Sequence, residues 1–177
     1  MTTCHMASTT QQRNEATHHK LSDRWTLWAH LPQDPDWTVA SYKKIMTVST
    51  AEEAVGLMEN IPSNLVDNCM LFVMREGIGP TWEDPKNREG GCFSYKISNK
   101  VVHSVWRNLY YVLVGGSISR RAGFAADVTG ITISPKKNFC IIKVWMSSCL
   151  YQDPTVINRE CGLAAEGCLF KKHVPEY

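Results

Sequence analysis

Hydrophobic and polar positions alternate with period two in several short runs of the chain, and recur at helical spacing in only a few. From Arg24 to Leu31, Trp25, Leu27 and Ala29 fall on one side and Thr26, Trp28 and His30 on the other, which predicts a strand with two different faces. Pro32 and Pro35 break that run and leave Trp37 in or beside a polar loop. Ser41 to Val48 predicts a second strand, Cys69 to Arg75 a buried one, and Cys92 to Ile97 alternates again. Val128 to Ser134 and Phe139 to Ser147 predict two strands joined by the turn Pro135, Lys136, Lys137, Asn138, and Leu169 to Val174 a last one.

Helical spacing marks three segments. Ser49 with Glu52 reads as a capping box that opens a helix carrying Ala51, Ala54, Val55 and Met58, with Pro62 as its limit. Val101 to Val114 is the strongest helix, with Val102, Val105, Trp106, Leu109 and Leu113 on one stripe and Gly115 as its stop. Its other face carries Tyr110, Tyr111 and Val114, and a helix apolar on two sides is deeply buried or meets a partner. Asp153 with Pro154 starts a third helix, for which Gly167 is the stop. Glu76 to Gly91 is a long loop containing Trp82, Glu83 and Asp84. Residues 1–19 are polar and aperiodic, expected as a disordered tail before a single domain over residues 20–177. Many strands with a few interspersed helices predict an α+β domain on a mainly antiparallel sheet.

Composition narrows the function classes. A chain of 177 residues with 44% apolar and 20% charged residues has the makings of one ordinary folded core. The net charge of +2 argues against a duplex DNA binder that relies on many phosphate contacts, and leaves room for a local basic patch. Seven cysteines, an odd number without a C-x-x-C pair, fit reduced thiols in a cytoplasmic or nuclear protein better than a disulfide framework. The apolar run Leu109 to Val114 is far too short to span a bilayer, and the N-terminus lacks the core of a signal peptide, so no membrane partner is expected. Cys4, His5, His18 and His19 follow no zinc spacing and read as part of a solvated tail, so neither metal nor cofactor is expected. A nucleotide hydrolase built on Glu83 and Asp84 would lack a phosphate-cradling Gly-Lys loop, a Ser-His-Asp set and a metal motif, so an enzyme is not expected.

The six tryptophans are the distinctive chemistry. Trp25, Trp28 and Trp106 lie on periodic stripes and read as core. Trp37 and Trp82 sit among Pro, Asp and Gly, where a large ring has little local reason to be; core packing and a ligand-facing role both stand open for them. Two loop tryptophans from distant parts of a chain can form a slot for a planar base, each stack contributing about 1–3 kcal/mol. A base methylated to carry positive charge gains a further cation–π attraction of about 0.5–2 kcal/mol per ring, a preference on the order of 10–1000 over the neutral base. Guanine presents two donors on one edge, and a single ionised carboxylate such as Glu83, next to Trp82, accepts both. Alone, Glu83 and Asp84 read as ordinary solvated loop charges. Lys136 and Lys137 in their turn, and Lys143 two residues before Trp145, are candidates for a neighbouring phosphate chain, though paired lysines in a turn are usually solvated.

The run Arg24 to Trp28 (RWTLW), Trp37, the stretch Pro80 to Gly91 (PTWEDPKNREGG), Trp106, and Lys143 to Trp145 (KVW) together resemble the eukaryotic translation initiation factor four-E family of mRNA cap-binding proteins. The order and spacing hold from about Leu21 to Trp145, and W-E-D-x-K-N-x-x-G-G is the most specific part. The resemblance implies a curved antiparallel sheet with about three helices on its convex face and the 7-methylguanosine cap in the concave one. It implies Trp37 and Trp82 as the base sandwich, Glu83 as reader of the guanine edge, Trp145 as the contact to the methyl group, and Lys136 in place of a phosphate-binding arginine. The family's other phosphate lysines fall on Asn138 and Ile141, which leaves Lys137 and Lys143 as substitutes, and Cys92 stands where a basic residue is usual. It implies capped mRNA as one partner. On the convex face it implies a scaffold of the four-G type, or a binding-protein peptide, meeting a monomer at His19, Leu21, Val55, Arg107, Tyr111 and Val114. There Val55 replaces the family's tryptophan, Arg107 an apolar residue, and Lys20 a proline. Those changes admit a translational repressor, or an interaction domain with an altered partner surface, as alternatives to an initiation factor.

Overall fold

The computed structural model describes residues 18–173, and its first strand, β1 (Lys20–His30), runs longer than the alternation indicates. It is followed by β2 (Lys43–Thr50), α1 (Ala51–Asn60), α2 (Ser63–Asn68), β3 (Met70–Arg75), β4 (Gly91–Ser98), α3 (Val102–Val114), α4 (Ala122–Asp127), β5 (Val128–Pro135), β6 (Phe139–Met146) and β7 (Leu169–Lys172). The seven strands form one curved open sheet in the order β2-β1-β3-β5-β6-β4-β7, every neighbouring pair antiparallel. The expected α+β class and antiparallel sheet are both present, with four α-helices among the described residues where about three were expected. The two short helices escape a periodicity reading because six residues hold too few turns to show a stripe.

The period-two pattern of β1 sorts its side chains as expected. Trp25, Leu27 and Ala29 are buried beneath the helices in the main core, where they join Leu71 and Val73 of β3 and Ile131 and Ile133 of β5. From α3, Trp106, Leu109 and Tyr110 enter the same core at no more than 1% exposure, each large side chain contributing about 1.5–3 kcal/mol. Val114, expected on the outer surface of α3, also belongs to this core at 3% exposure. The opposite face of the sheet carries a second, smaller cluster of Phe72, Met74, Cys92 and Trp145, with Trp28, Tyr42, Met70 and Ile78 packed around it. Trp28 therefore packs on this open face, away from the helices.

Two local expectations shift. The capping box of α1 uses Thr50 and Glu53, one residue on from Ser49 and Glu52: the Glu53 amide donates to Thr50 Oγ1 at 3.2 Å, and the Thr50 amide to the Glu53 carboxylate at 3.2 Å. The sequence Ser-Thr-Ala-Glu-Glu offers the motif in both registers, and spacing alone cannot choose. Glu52 is left to accept from His19, whose amide and Nδ1 lie 3.1 and 2.6 Å from its oxygens. The tail expected over residues 1–19 falls outside the described residues as far as residue 17, while His18 and His19 are held against Glu52. The helix expected between Asp153 and Gly167 is instead two 3₁₀ turns, Pro154–Val156 and Arg159–Cys161. Asp153 and Asn158 each cap a separate turn, and Gly162, at φ 80°, ends the second in the left-handed region. β7 stops at Lys172, and Val174 lies outside the described residues.

Candidate functional site

Cross-strand register assembles the open face. Trp28 of β1 stands opposite Phe72, which stands opposite Thr132, then Lys143, then Ser94. The adjacent row runs Thr26, Met74, Gly130, Trp145, Cys92. Gly130 is required there, since a Cβ would come within 2.5 Å of both Met74 Sδ and the Val73 carbonyl. Trp145 is buried at 7% exposure, its ring edge-on to Phe72 at 6.4 Å. Burial raises the pKa of the Cys92 thiol, an effect only partly opposed by Lys143 and Lys171.

From that cluster a chain of rings leads to the loop after β1. Phe72 meets Tyr42 edge-on at 5.3 Å, Tyr42 meets His30 at 5.1 Å, and His30 stacks flat on Trp37 at 4.1 Å. His30 Nε2 lies 2.8 Å from the Asp36 carbonyl, so it carries the proton and ties the ring to the loop. Asp36 accepts from the amide and hydroxyl of Thr38, contacts that lower its pKa. Trp37 is thus positioned while 57% exposed. It lines a cleft of about 240 Å³ with His30, Met70, Ser134 and Lys136.

The other tryptophan is held by a loop with its own internal scaffold. Asp84 accepts from the amides of Gly79 at 2.7 Å and Lys86 at 2.8 Å, while the fully buried Asn87 donates from its side-chain amide to the carbonyls of Gly79 and Thr81. Gly90 and Gly91 return the chain to the sheet where no Cβ would fit: 1.8 Å from the Met146 carbonyl and 2.5 Å from that of Lys171. The most specific stretch of the sequence therefore divides its labour. Asp84, Asn87, Gly90 and Gly91 build the loop, and Trp82, 45% exposed, and the exposed Glu83 are presented by it. Burial raises the pKa of the Tyr42 hydroxyl first, and the Glu83 charge raises it further.

The sequence-predicted residues are gathered unequally. Trp37 and Lys136 share one cleft, and Lys143 and Trp145 share one strand face. Lys137 stands exposed in its turn, and Trp82 and Trp37 make no ring contact with each other. On the helix-bearing face, Leu21 is partly buried against the core and Val55 is 48% exposed. Arg107 and the Tyr111 hydroxyl both bond to Glu59 of α1. Three functional candidates carried no sequence signal of this kind: His30, Tyr42 and His173. The His173 ring packs on Trp145 at 4.7 Å, and its Nδ1 lies 2.7 Å from the Asn87 carbonyl. Among the described residues no group of three His, Cys, Asp or Glu could hold a metal ion.

The eukaryotic initiation factor 4E family model matches residues 20–161. A eukaryotic translation initiation factor NCBP of Oryza sativa subsp. japonica is 32% identical over 148 residues, covering 78% of this chain and 63% of the relative. Eukaryotic translation initiation factor 4E-1 of Schizosaccharomyces pombe is 29% identical over 138 residues, covering 74% and 62%. The match thus spans less than two thirds of either relative's length. Among solved structures, eIF4E-3 of C. elegans in complex with the 4E-binding protein Mextli and a cap analog superposes with a TM-score of 0.78 at 20% identity, over 89% of this chain and 94% of that one. On the strength of the family model, which covers most of its length, the chain belongs to the eukaryotic initiation factor 4E family.

Proposed function

We propose that this protein binds the 7-methylguanosine cap of mRNA and acts in translation initiation as a binding module, with no catalysis of its own. The observation that supports the proposal is that two large apolar rings, Trp37 and Trp82, stand 57% and 45% exposed on loops held by their own hydrogen bonds. In this reading the base inserts between them. Stacking contributes about 1–3 kcal/mol per ring, and the positive charge of the methylated base about 0.5–2 kcal/mol more. Glu83, which the loop scaffold leaves free, accepts the two donors of the guanine edge. Trp145 borders the methyl group from the sheet, and Lys136, Lys137 and Lys143 meet the phosphates. The experiment is a cap-affinity comparison of wild type with Trp37→Ala, Trp82→Ala and Glu83→Ala. The tryptophan variants are expected to lose binding by more than about tenfold, and Glu83→Ala to lose preference for guanine. Wild-type binding by all three folded variants would remove the slot.

A scaffold of the four-G type or a binding-protein peptide, in the same proposal, meets the monomer in the cytoplasm, on the helix-bearing face around His19, Leu21, Val55, Arg107 and Tyr111. Val114 is left out of that contact because it is buried. One observation favours a cap-binding repressor instead: Glu59, Arg107 and Tyr111 tie α1 to α3 with a polar network across that face. Titration with a scaffold peptide separates the two readings, since an initiation factor binds it and a repressor with an altered face does not.

A further inference from the structure

On the helix-bearing side, beyond the C-terminal end of α3, a cleft of about 570 Å³ is lined by Arg120, Arg121 and Arg159 together with Ser119, Thr155 and Asn158. No carboxylate lies within ion-pair distance of any of these three guanidinium groups among the described residues; Glu160 is the one acid in the lining, and Asp153, beside it, feels the charge of Arg121. The walls are fixed. The Asn158 amide donates to the Ser117 carbonyl at 3.0 Å, its backbone N–H donates to the Ile118 carbonyl at 2.9 Å, and the Ser119 hydroxyl donates to the Val156 carbonyl at 2.7 Å. Ile157 beneath it is buried in the main core. Three planar donors around one concavity, with only Arg121 partly balanced, by Asp153, cost self-repulsion that a bound multi-oxygen dianion would relieve through charge-assisted, bidentate hydrogen bonds.

We propose that this cleft binds a phosphorylated serine or threonine within a segment of a protein partner. Two features favour a phosphopeptide over RNA. The lining holds no aromatic ring on which a base could stack. It also lies on the helix-bearing side of the sheet, away from the open face that carries Trp145, so RNA leaving the candidate cap site would have to cross the sheet edge. A protein partner docked along the helices reaches it directly, and the cleft adds a phosphate-dependent increment to that contact.

The test is fluorescence anisotropy of the full chain with a degenerate peptide pool centred on phosphoserine, the same pool unphosphorylated, and a short uncapped RNA. The phosphorylated pool is expected to bind about tenfold or more tightly than its counterpart. The Arg121→Glu, Arg159→Glu double variant is expected to lose that preference while its cap titration stays unchanged. Arg121 and Arg159 are both exposed, so folding is expected to be preserved, and a circular dichroism spectrum like that of wild type verifies it. Equal binding of the two pools, stronger capture of RNA than of phosphopeptide, or wild-type preference in the double variant would each overturn the assignment. Because the probes carry no cap, failure here leaves the cap proposal standing, and the reverse also holds.

Discussion

The imidazole of His30 lies flat against the indole of Trp37, centroids 4.1 Å apart and planes 3° from parallel. One ring is the last residue of β1 and the other belongs to the loop that follows, so the strand end braces the loop tryptophan. A free tryptophan in such a loop would lose rotamer freedom on binding a base; one already stacked loses less. His30→Ala is therefore expected to weaken cap binding by about 2–10-fold, the range set by an aromatic pair contributing about 0.5–1.5 kcal/mol. An isothermal titration of the variant checks this, and unchanged affinity would show that the stack is incidental.

Asn87 is expected to matter more than its distance from any ligand suggests. Replacing it with Leu leaves the carbonyls of Gly79 and Thr81 without their donor in a buried setting, at a cost of about 1–3 kcal/mol. Thermal unfolding should register that loss, and cap affinity should fall with it although Trp82 and Glu83 are intact. Gly90→Ala should be worse, because its Cβ would sit 1.8 Å from the Met146 carbonyl, and soluble folded protein is not expected from it.

Much of this was legible in the sequence, and the parts that were not share a cause. Alternation separated Trp25 from Trp28 because a strand's faces depend only on parity. The polar segments around Trp37 and Trp82 left core packing and exposure both open, and the fold exposes both rings. The capping box slipped by one residue because two overlapping registers satisfy the motif. The segment from Asp153 to Gly167 does not form one helix because Asn158 caps afresh and Gly162 ends the second turn midway. Val114 lies on the second apolar face of α3, for which the pattern allowed burial or a partner contact, and the fold buries it. His30, Tyr42 and His173 act through contacts 12 to 86 residues away in the chain or through a loop that folds back, and no local pattern encodes such meetings.

Thr50→Ala tests the shifted capping box. Loss of the side-chain acceptor for the Glu53 amide is expected to cost about 0.5–2 kcal/mol, read by denaturant unfolding. Ser49→Ala should cost less, since its hydroxyl donates to Glu53 but caps no helical amide.

His173 predicts a pH dependence. Burial, the larger cause, and the nearby Lys143 charge lower its pKa below the ordinary 6.5, while its bond to the Asn87 carbonyl opposes them. The unfolded chain therefore takes up the proton first as pH falls. Stability from the neutral ring is complete above the ordinary histidine value and is lost as pH drops through the lowered one. Melting temperature should decline between about pH 7 and pH 5, and His173→Gln should flatten part of that decline. An identical slope in the variant would assign the effect to other groups.

The most direct measurement is tryptophan-fluorescence titration of the full chain with 7-methylguanosine triphosphate beside unmethylated GTP. Two exposed tryptophans closing on a charged base predict strong quenching and a preference for the methylated ligand of at least about tenfold. Equal affinity for the two ligands, or no quenching by either, would contradict the cap slot.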